Sequence, residues 1–221
     1  MKKKVNTLAK KVRKKIVQYI STNRLSISFM ILSMIETTLF RYFIFGNPWQ
    51  FMPCTIDFAI ILIIVSISYF IKPNKQYNYY LVWSIIITLM CIINSVYYSF
   101  YMSFASFSLL ASLSQVRTVT DSLTEKFRII DFVYLAFPII FYLIHKRLKS
   151  STYYRFMTKI EKGKKMFAAT LLVAVIIIAI NMLNMDGTDY SRLTKLWNRD
   201  YNVKRFGIIL YQFDDLAQSL T

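Results

Sequence analysis

The stretch MFAATLLVAVIIIAINMLNM, residues 166–185, is an apolar run of 20 residues without a charged side chain. As a helix it would be about 30 Å long, which matches the hydrocarbon core of a lipid bilayer. Its apolar residues are continuous rather than alternating, and this argues against a strand of a membrane barrel. The run therefore predicts a transmembrane helix and an all-α membrane protein.

Four further runs of the same kind precede it in the 221-residue chain. The five predicted transmembrane helices are residues 25–45, 54–71, 79–98, 129–145 and 166–185. The composition agrees with this class, because 56% of the residues are hydrophobic and only four are glycine. The predicted organisation is a basic N-terminal segment (1–24), a five-helix transmembrane domain (25–185) and a tail or linker (186–221).

The formal net charge of +17 is distributed unevenly along the chain. One set of segments is rich in Lys and Arg, with nine in 1–24, two in the short loop 72–78 and eight in 146–165. The segments between them along the chain have fewer, with none in 46–53, three in 99–128 and five in 186–221. Because Lys and Arg accumulate in cytoplasmic loops, this alternation predicts the N-terminus inside the cell and the C-terminus outside. It also argues against nucleic acid as the partner, since the basic segments would face the anionic inner leaflet.

Ionisable side chains within the predicted helices are concentrated toward the predicted outer ends. Such groups are costly in a bilayer and usually face a bundle interior or a wet cavity. One interpretation is a polar recess that receives a lipid headgroup. The lipid-contact candidates in or beside the predicted helices are Glu36, Arg41, Asp57 and Asp131. Two further candidates, Gln115 and Arg117, lie in segment 99–128 between the third and fourth helices.

The alternative interpretation of these residues is structural. Arg41 would reach the membrane interface and pair with Glu36 or Asp57, while Asp131 would cap a helix. Both interpretations are compatible with the positions of these residues in the sequence.

The segment 99–128 has intermediate polarity, with apolar side chains at near-helical spacing and serines between them. This pattern predicts an interfacial or re-entrant helix between the third and fourth transmembrane helices. Near its end, Ser122 and Glu125 fit a capping box that would start the fourth helix. The predicted helix is either a lid over the polar recess or an ordinary connector.

The tail becomes amphipathic after a polar start, with apolar residues at three- to four-residue spacing, which predicts a helix on the outer surface or against a following domain. These residues are Val203, Phe206, Ile209 or Leu210, Phe213, Leu216 and Leu220.

The chain has one histidine and contains no phosphate-binding loop, metal-ligand pattern or catalytic triad pattern. We therefore identify no catalytic or metal-ligating residue in it.

Two stretches carry a resemblance to a known family. The first comprises VYYSFYMSFASF (96–107), LSQV (113–116), Phe127 and DFVY (131–134). The second comprises LTK (193–195), DYNVKRFG (200–207) and YQFDD (211–215). The first resembles the extracytoplasmic loop and fourth helix of lipoteichoic acid synthases, and the second resembles the segment that leads from their fifth helix to an external domain.

This resemblance implies the plasma membrane of a Gram-positive bacterium and a role in cell-wall lipoteichoic acid biosynthesis. Family members transfer glycerol phosphate from phosphatidylglycerol onto a glycolipid-anchored chain. Their chemistry belongs to an extracellular sulfatase-type domain with a divalent metal, usually manganese, and none of its residues can be assigned in these 221 residues. The implied function is that of a membrane module, which anchors the transferase and presents phosphatidylglycerol or the glycolipid acceptor.

Two other hypotheses remain open. The chain could be a non-enzymatic membrane partner of a full-length synthase or of another envelope protein, which it would contact through the 99–128 helix and the tail. A small transporter or lipid flippase is less favoured, because many transporters are built from repeated halves and these five helices show no repeat.

Overall fold

The computed structural model describes residues 23–107, 128–149, 160–195 and 198–220. Regular structure within them is helical: α1 (Arg24–Phe45), α2 (Phe51–Ser68), α3 (Pro73–Tyr101), a 3-10 helix (Ile129–Leu135), α4 (Ala136–Lys149), α5 (Ile160–Leu183), α6 (Gly187–Lys195), α7 (Arg199–Phe206) and α8 (Ile208–Ser219). Five stretches, one of them the 3-10 helix with α4, are long and apolar enough to cross a membrane. The all-α class and the five membrane-capable helices are confirmed.

The helix ends differ from the apolar runs where polar residues continue a helix. The run at 79–98 lies within α3, which already begins at Pro73. Proline fits the first turn of a helix, because its missing N–H would have no helical partner there. The predicted fourth helix is not one regular helix, since it opens in 3-10 conformation at Ile129 and becomes an α-helix at Ala136.

Helix α2 is the centre of the molecule and contacts α1, α5, α7 and α8. Its side chains are buried on several sides, which explains why it lacks a polar face. Helix α5 packs mainly against α2 and leaves most of its surface exposed, as a lipid-facing helix does. Gly163 permits this close packing, because a Cβ atom there would lie 2.9 Å from the backbone oxygen of Tyr69.

The separate helix predicted from position 99 is absent from the first residues after α3 that the structure describes. Helix α3 continues through Tyr101, and Met102 ends it in a left-handed conformation with φ of 50°. Residues 103–106 are non-helical, and they insert the buried Phe104 ring between Phe40, Tyr98 and Tyr211. The predicted helix is therefore wrong over 102–106, and its remainder, with the predicted capping box, lies outside the described residues.

The tail covers one end of the helix bundle. This end of the bundle, where α1 and α5 end and α2 begins, is named the tail end. Its helical conformation is confirmed, but the predicted single stripe is broken at Gly207, where φ is 90° and α7 gives way to α8. The buried residues of α7 and α8 are Asn202, Val203, Phe206, Ile208, Ile209, Tyr211, Gln212 and Asp215. Leu220 is exposed instead, so the apolar spacing alone located the buried face only in part.

Candidate functional site

Arg41 of α1 and Asp57 of α2 form an ion pair inside the bundle, near its tail end. Both side chains are fully buried. Arg41 Nη2 also donates to Thr38 Oγ1 and to Cys54 Sγ, each at 3.2 Å. Of the two predicted acidic partners of Arg41, Glu36 and Asp57, the structure shows Asp57, and the pairing is confirmed. The predicted position of Arg41 at the membrane interface stays a prediction.

Gly207 allows the tail to close directly over this ion pair. A Cβ atom at position 207 would lie 2.4 Å from Asp57 Oδ1, so only glycine fits the observed backbone. Arg41 Nε and Asp57 Oδ1 have no hydrogen-bond partner in the described part of the chain. Since an unpaired charge in a protein interior is costly, each member of the pair depends on the other.

The remaining buried carboxylates of the candidate set have separate partners. Thr88 Oγ1 donates to Glu36 Oε1 at 2.6 Å. Asp131 Oδ1 accepts from Ser95 Oγ at 2.6 Å, and Asp131 Oδ2 accepts from the Arg128 backbone N–H at 3.0 Å. This last bond satisfies an open donor at the start of the 3-10 helix, and the predicted capping role of Asp131 is confirmed.

The candidates therefore do not converge on one recess among the described residues. Arg41 and Asp57 meet, while Glu36 and Asp131 bind other side chains. Gln115 and Arg117 lie outside the described residues. A lipid contact by any of the six stays a prediction.

The non-helical stretch 103–106 is held between α3 and α8. Gln212 Nε2 donates to Asn94 Oδ1 at 3.2 Å, and the Tyr211 hydroxyl donates to the Ala105 oxygen at 3.0 Å. Asp215 accepts from Ser106 Oγ and from the Phe107 N–H, both at 2.6 Å. These bonds fix the end of α3 and the last described helix as one unit.

A second cluster joins α6 to α7. Asp189 accepts hydrogen bonds from the Tyr201 hydroxyl and from Arg205, whose Nη2 lies 3.0 Å from Asp189 Oδ2. Burial opposes ionisation of Asp189, but the bonds from Tyr201, Arg205 and the Asp186 amide prevail and hold its pKa below the ordinary value. Burial instead raises the pKa of Asp200, whose Oδ1 has no hydrogen-bond partner in the described ranges.

An open groove of about 710 Å³ lies beside these clusters, at the tail end. The start of α2, the end of α5 and α7 form its walls. The lining residues are Gln50, Phe51, Met52, Pro53, Asn181, Asn184, Tyr201, Lys204 and Arg205. Unlike the Arg41–Asp57 pair, this groove is accessible from outside the protein.

Metal ligands are not clustered in the part of the chain that the structure describes. No three His, Cys, Asp or Glu side chains there lie close enough to hold a metal ion. The described residues thus offer no site for the manganese ion that the resemblance implies for another domain.

The residues that attach the tail were missed by sequence reasoning. Asp215 and Gln212 are ordinary polar residues of an amphipathic tail in the sequence, and their partners Ser106 and Asn94 are distant along the chain. Asp189 joins α6 to α7 within the tail itself. The sequence does contain one indication of the role of Gly207, because this glycine interrupts the apolar residues Phe206 and Ile208. A glycine at such a break indicates a change of helix direction that the continuous-stripe interpretation overlooked.

The fold and this site define a class: a multi-pass helical membrane domain whose own C-terminal helices cover one end of the bundle. The family model for the lipoteichoic acid synthase N-terminal domain matches residues 1–221. The chain therefore belongs to the lipoteichoic acid synthase N-terminal domain family. It is a multi-pass protein of the bacterial plasma membrane.

Similar curated proteins support the same assignment. The chain is 25% identical over 191 residues to the lipoteichoic acid synthase of Staphylococcus saprophyticus, and 22% identical over 191 residues to that of Staphylococcus aureus strain USA300. Each match covers 81% of this chain and 28% of the relative. The chain thus corresponds to well under half of these synthases. No solved structure gives a significant match.

Proposed function

We propose that the chain is the membrane module of a lipoteichoic-acid-synthase-like glycerophosphotransferase, which anchors the catalytic domain and presents phosphatidylglycerol or the glycolipid-linked acceptor to it at the outer leaflet. The catalytic domain would act either within the same polypeptide or in a separate full-length synthase.

The attachment of α8 to the bundle is the observation that carries this proposal. Bonds to Asp215 and Gln212, together with the glycine contact at position 207, hold α8 against α2 and α3. A domain connected to or bound by this helix would have a restricted position relative to the lipid headgroups. Positioning of this kind lowers the entropic cost of bringing a lipid substrate to an active site.

The proposal requires the tail end to face the outside of the cell, as the Lys and Arg distribution predicts. We expect single cysteines at Ser112 and Ser219 to react with a membrane-impermeant thiol reagent on intact cells, in a background with Cys54→Ser and Cys91→Ala. A cysteine at Ser150 should react only after lysis. Labelling of the Ser150 position on intact cells, or of Ser219 only after lysis, would contradict the orientation.

A chimera tests the functional proposal directly. Residues 1–221 would replace the matching membrane domain of the Staphylococcus aureus synthase, in cells that lack their own enzyme. We expect polyglycerolphosphate to be restored, because the tail would position the catalytic domain at the outer leaflet. The measurement is polymer length and yield by immunoblot, compared with the native synthase at equal membrane abundance.

A chimera that inserts normally and has a folded catalytic domain, yet makes no polymer, would count against the membrane-module proposal. The hypothesis of a non-enzymatic partner is tested separately, in cells that produce both the complete synthase and the unfused chain. It would be supported if the unfused chain co-purified with the complete synthase and lost this binding when residues 186–221 were deleted.

A further inference from the structure

We propose that the groove at the tail end, between the start of α2, the end of α5 and α7, binds the phosphodiester headgroup of an anionic phospholipid. This inference deepens the proposed function and relies on it only for the outward orientation of the tail end. It assigns lipid binding to residues other than the six candidates taken from the sequence.

The positive charge of the groove is the first argument. Lys204 is exposed and forms no ion pair among the described residues. Arg205 bonds Asp189 through Nε and Nη2, and its Nη1 makes no hydrogen bond within the described ranges. A phosphodiester carries one negative charge and oxygen acceptors, so these cations match it in sign and in hydrogen-bonding capacity.

The start of α2 adds backbone donors to the same groove. Gln50 precedes the helix and makes no side-chain cap, and the third residue, Pro53, has no N–H, so the open backbone donors at this end are the N–H groups of Phe51 and Met52. The N-terminus of a helix carries partial positive charge and favours an anion. Because Phe51 and Met52 line the groove, this helix end faces the same space as Lys204.

Two amides on the opposite wall supply further hydrogen-bonding groups. Asn181 and Asn184 each donate one N–H to the backbone of α5, to Ile177 and Ile180. An amide nitrogen has two N–H groups, so one remains on each for a ligand. These uncharged donors fit the ester and hydroxyl oxygens of a headgroup.

The apolar rim favours a lipid over a water-soluble phosphate. Trp49, Phe51 and Leu183 are 81%, 79% and 86% exposed at this end of the bundle. Tryptophan is enriched where headgroups meet acyl chains, and Phe51 and Leu183 add apolar surface beside Trp49. A ligand with both a charged head and apolar chains contacts the polar groove and the rim together, whereas free glycerol phosphate contacts the groove alone.

Binding is tested with the full chain in uncharged detergent, by native mass spectrometry and by titration. The probes are dioctanoyl phosphatidylglycerol, dioctanoyl phosphatidylcholine and free glycerol phosphate. We expect saturable binding of phosphatidylglycerol with much weaker binding of the other two. Lys204→Glu should weaken phosphatidylglycerol binding at least about tenfold, because it replaces a charge-assisted contact with repulsion.

The control for charge is Lys165→Glu, which changes the net charge equally on an exposed residue at the other end of α5. A second variant, Asn184→Leu, removes a donor without changing the charge and should also weaken binding. Both groove variants should unfold at the temperature of the unmodified protein, since neither position belongs to a buried ion pair.

Equal weakening by Lys204→Glu and Lys165→Glu would overturn the site, because it would show only general electrostatic attraction. Equal affinity for free glycerol phosphate would overturn the lipid assignment, and equal affinity for phosphatidylcholine would overturn recognition of the negative charge. The assay contains no catalytic domain. Failure here would therefore leave the chimera result unaffected, and failure of the chimera would leave this binding result unaffected.

Discussion

Replacing Arg41 by methionine should lower the free energy of unfolding by about 3–5 kcal/mol, because the fully buried Asp57 would lose the one ionic partner it has among the described residues. For a chain of this length that loss corresponds to a fall in Tm on the order of 10 °C. The fully buried Cys91 provides the measurement in a Cys54→Ser background, since its reaction with a thiol-reactive fluorophore on heating reports opening of the core.

The double variant Arg41→Met/Asp57→Leu should recover most of that stability. A buried ion pair exchanged for apolar side chains of similar volume is often neutral or stabilising, because both desolvation costs disappear. Arg128→Met is the matched control, since Arg128 is 39% exposed and Asp131 would retain its bond from Ser95. An Arg41→Met protein no less stable than the Arg128→Met protein would contradict the prediction.

The same double variant separates the two interpretations of these residues. If the pair only stabilises the bundle, the double variant should bind phosphatidylglycerol as tightly as the unmodified chain. If Arg41 and Asp57 contact lipid, as one sequence interpretation holds, the stable double variant should lose that affinity. Measuring affinity in a folded protein avoids the ambiguity of the single variant.

The transmembrane helices could be predicted from sequence because each depends on local composition. An apolar run of membrane-spanning length has few stable alternatives to a helix in a bilayer. Their ends were less predictable, because residues 73–78 are polar and yet continue the backbone hydrogen bonds of α3. The 3-10 opening at Ile129 has the same apolar character as the α-helix after it, so composition could not distinguish the two.

The site was predictable only where the chemistry leaves few choices. A buried arginine needs an acidic partner, and Asp57 lies on the next helix, so the pairing was one of two options. The bond between Gln212 and Asn94 spans 118 residues, and that between Asp215 and Ser106 spans 109. Polar residues are common, and their spacing in the sequence does not indicate which distant residue each one will bond. The contacts that attach the tail could therefore be identified only from the three-dimensional structure.

Replacing Gly207 by alanine should detach α7 and α8 from the bundle while the transmembrane helices stay folded. The new Cβ atom would overlap Asp57 Oδ1, which cannot move without disturbing Arg41. The backbone at φ of 90° and ψ of 162° is also a conformation that side chains rarely adopt. Strain and overlap together should cost about 3 kcal/mol or more.

The measurement is hydrogen exchange followed by mass spectrometry. We expect the amides of α7 and α8 to exchange about a hundredfold faster, because each 1.4 kcal/mol of lost stability corresponds to about a factor of ten. Gly187→Ala should be nearly neutral, because no atom lies within 4 Å of its Cβ position. Equal exchange of α7 and α8 in the Gly207→Ala and Gly187→Ala proteins would mean that the contact with Asp57 does not hold the tail. The position of α8 over the bundle, on which the proposed presentation of a lipid to a catalytic domain depends, would then need another cause.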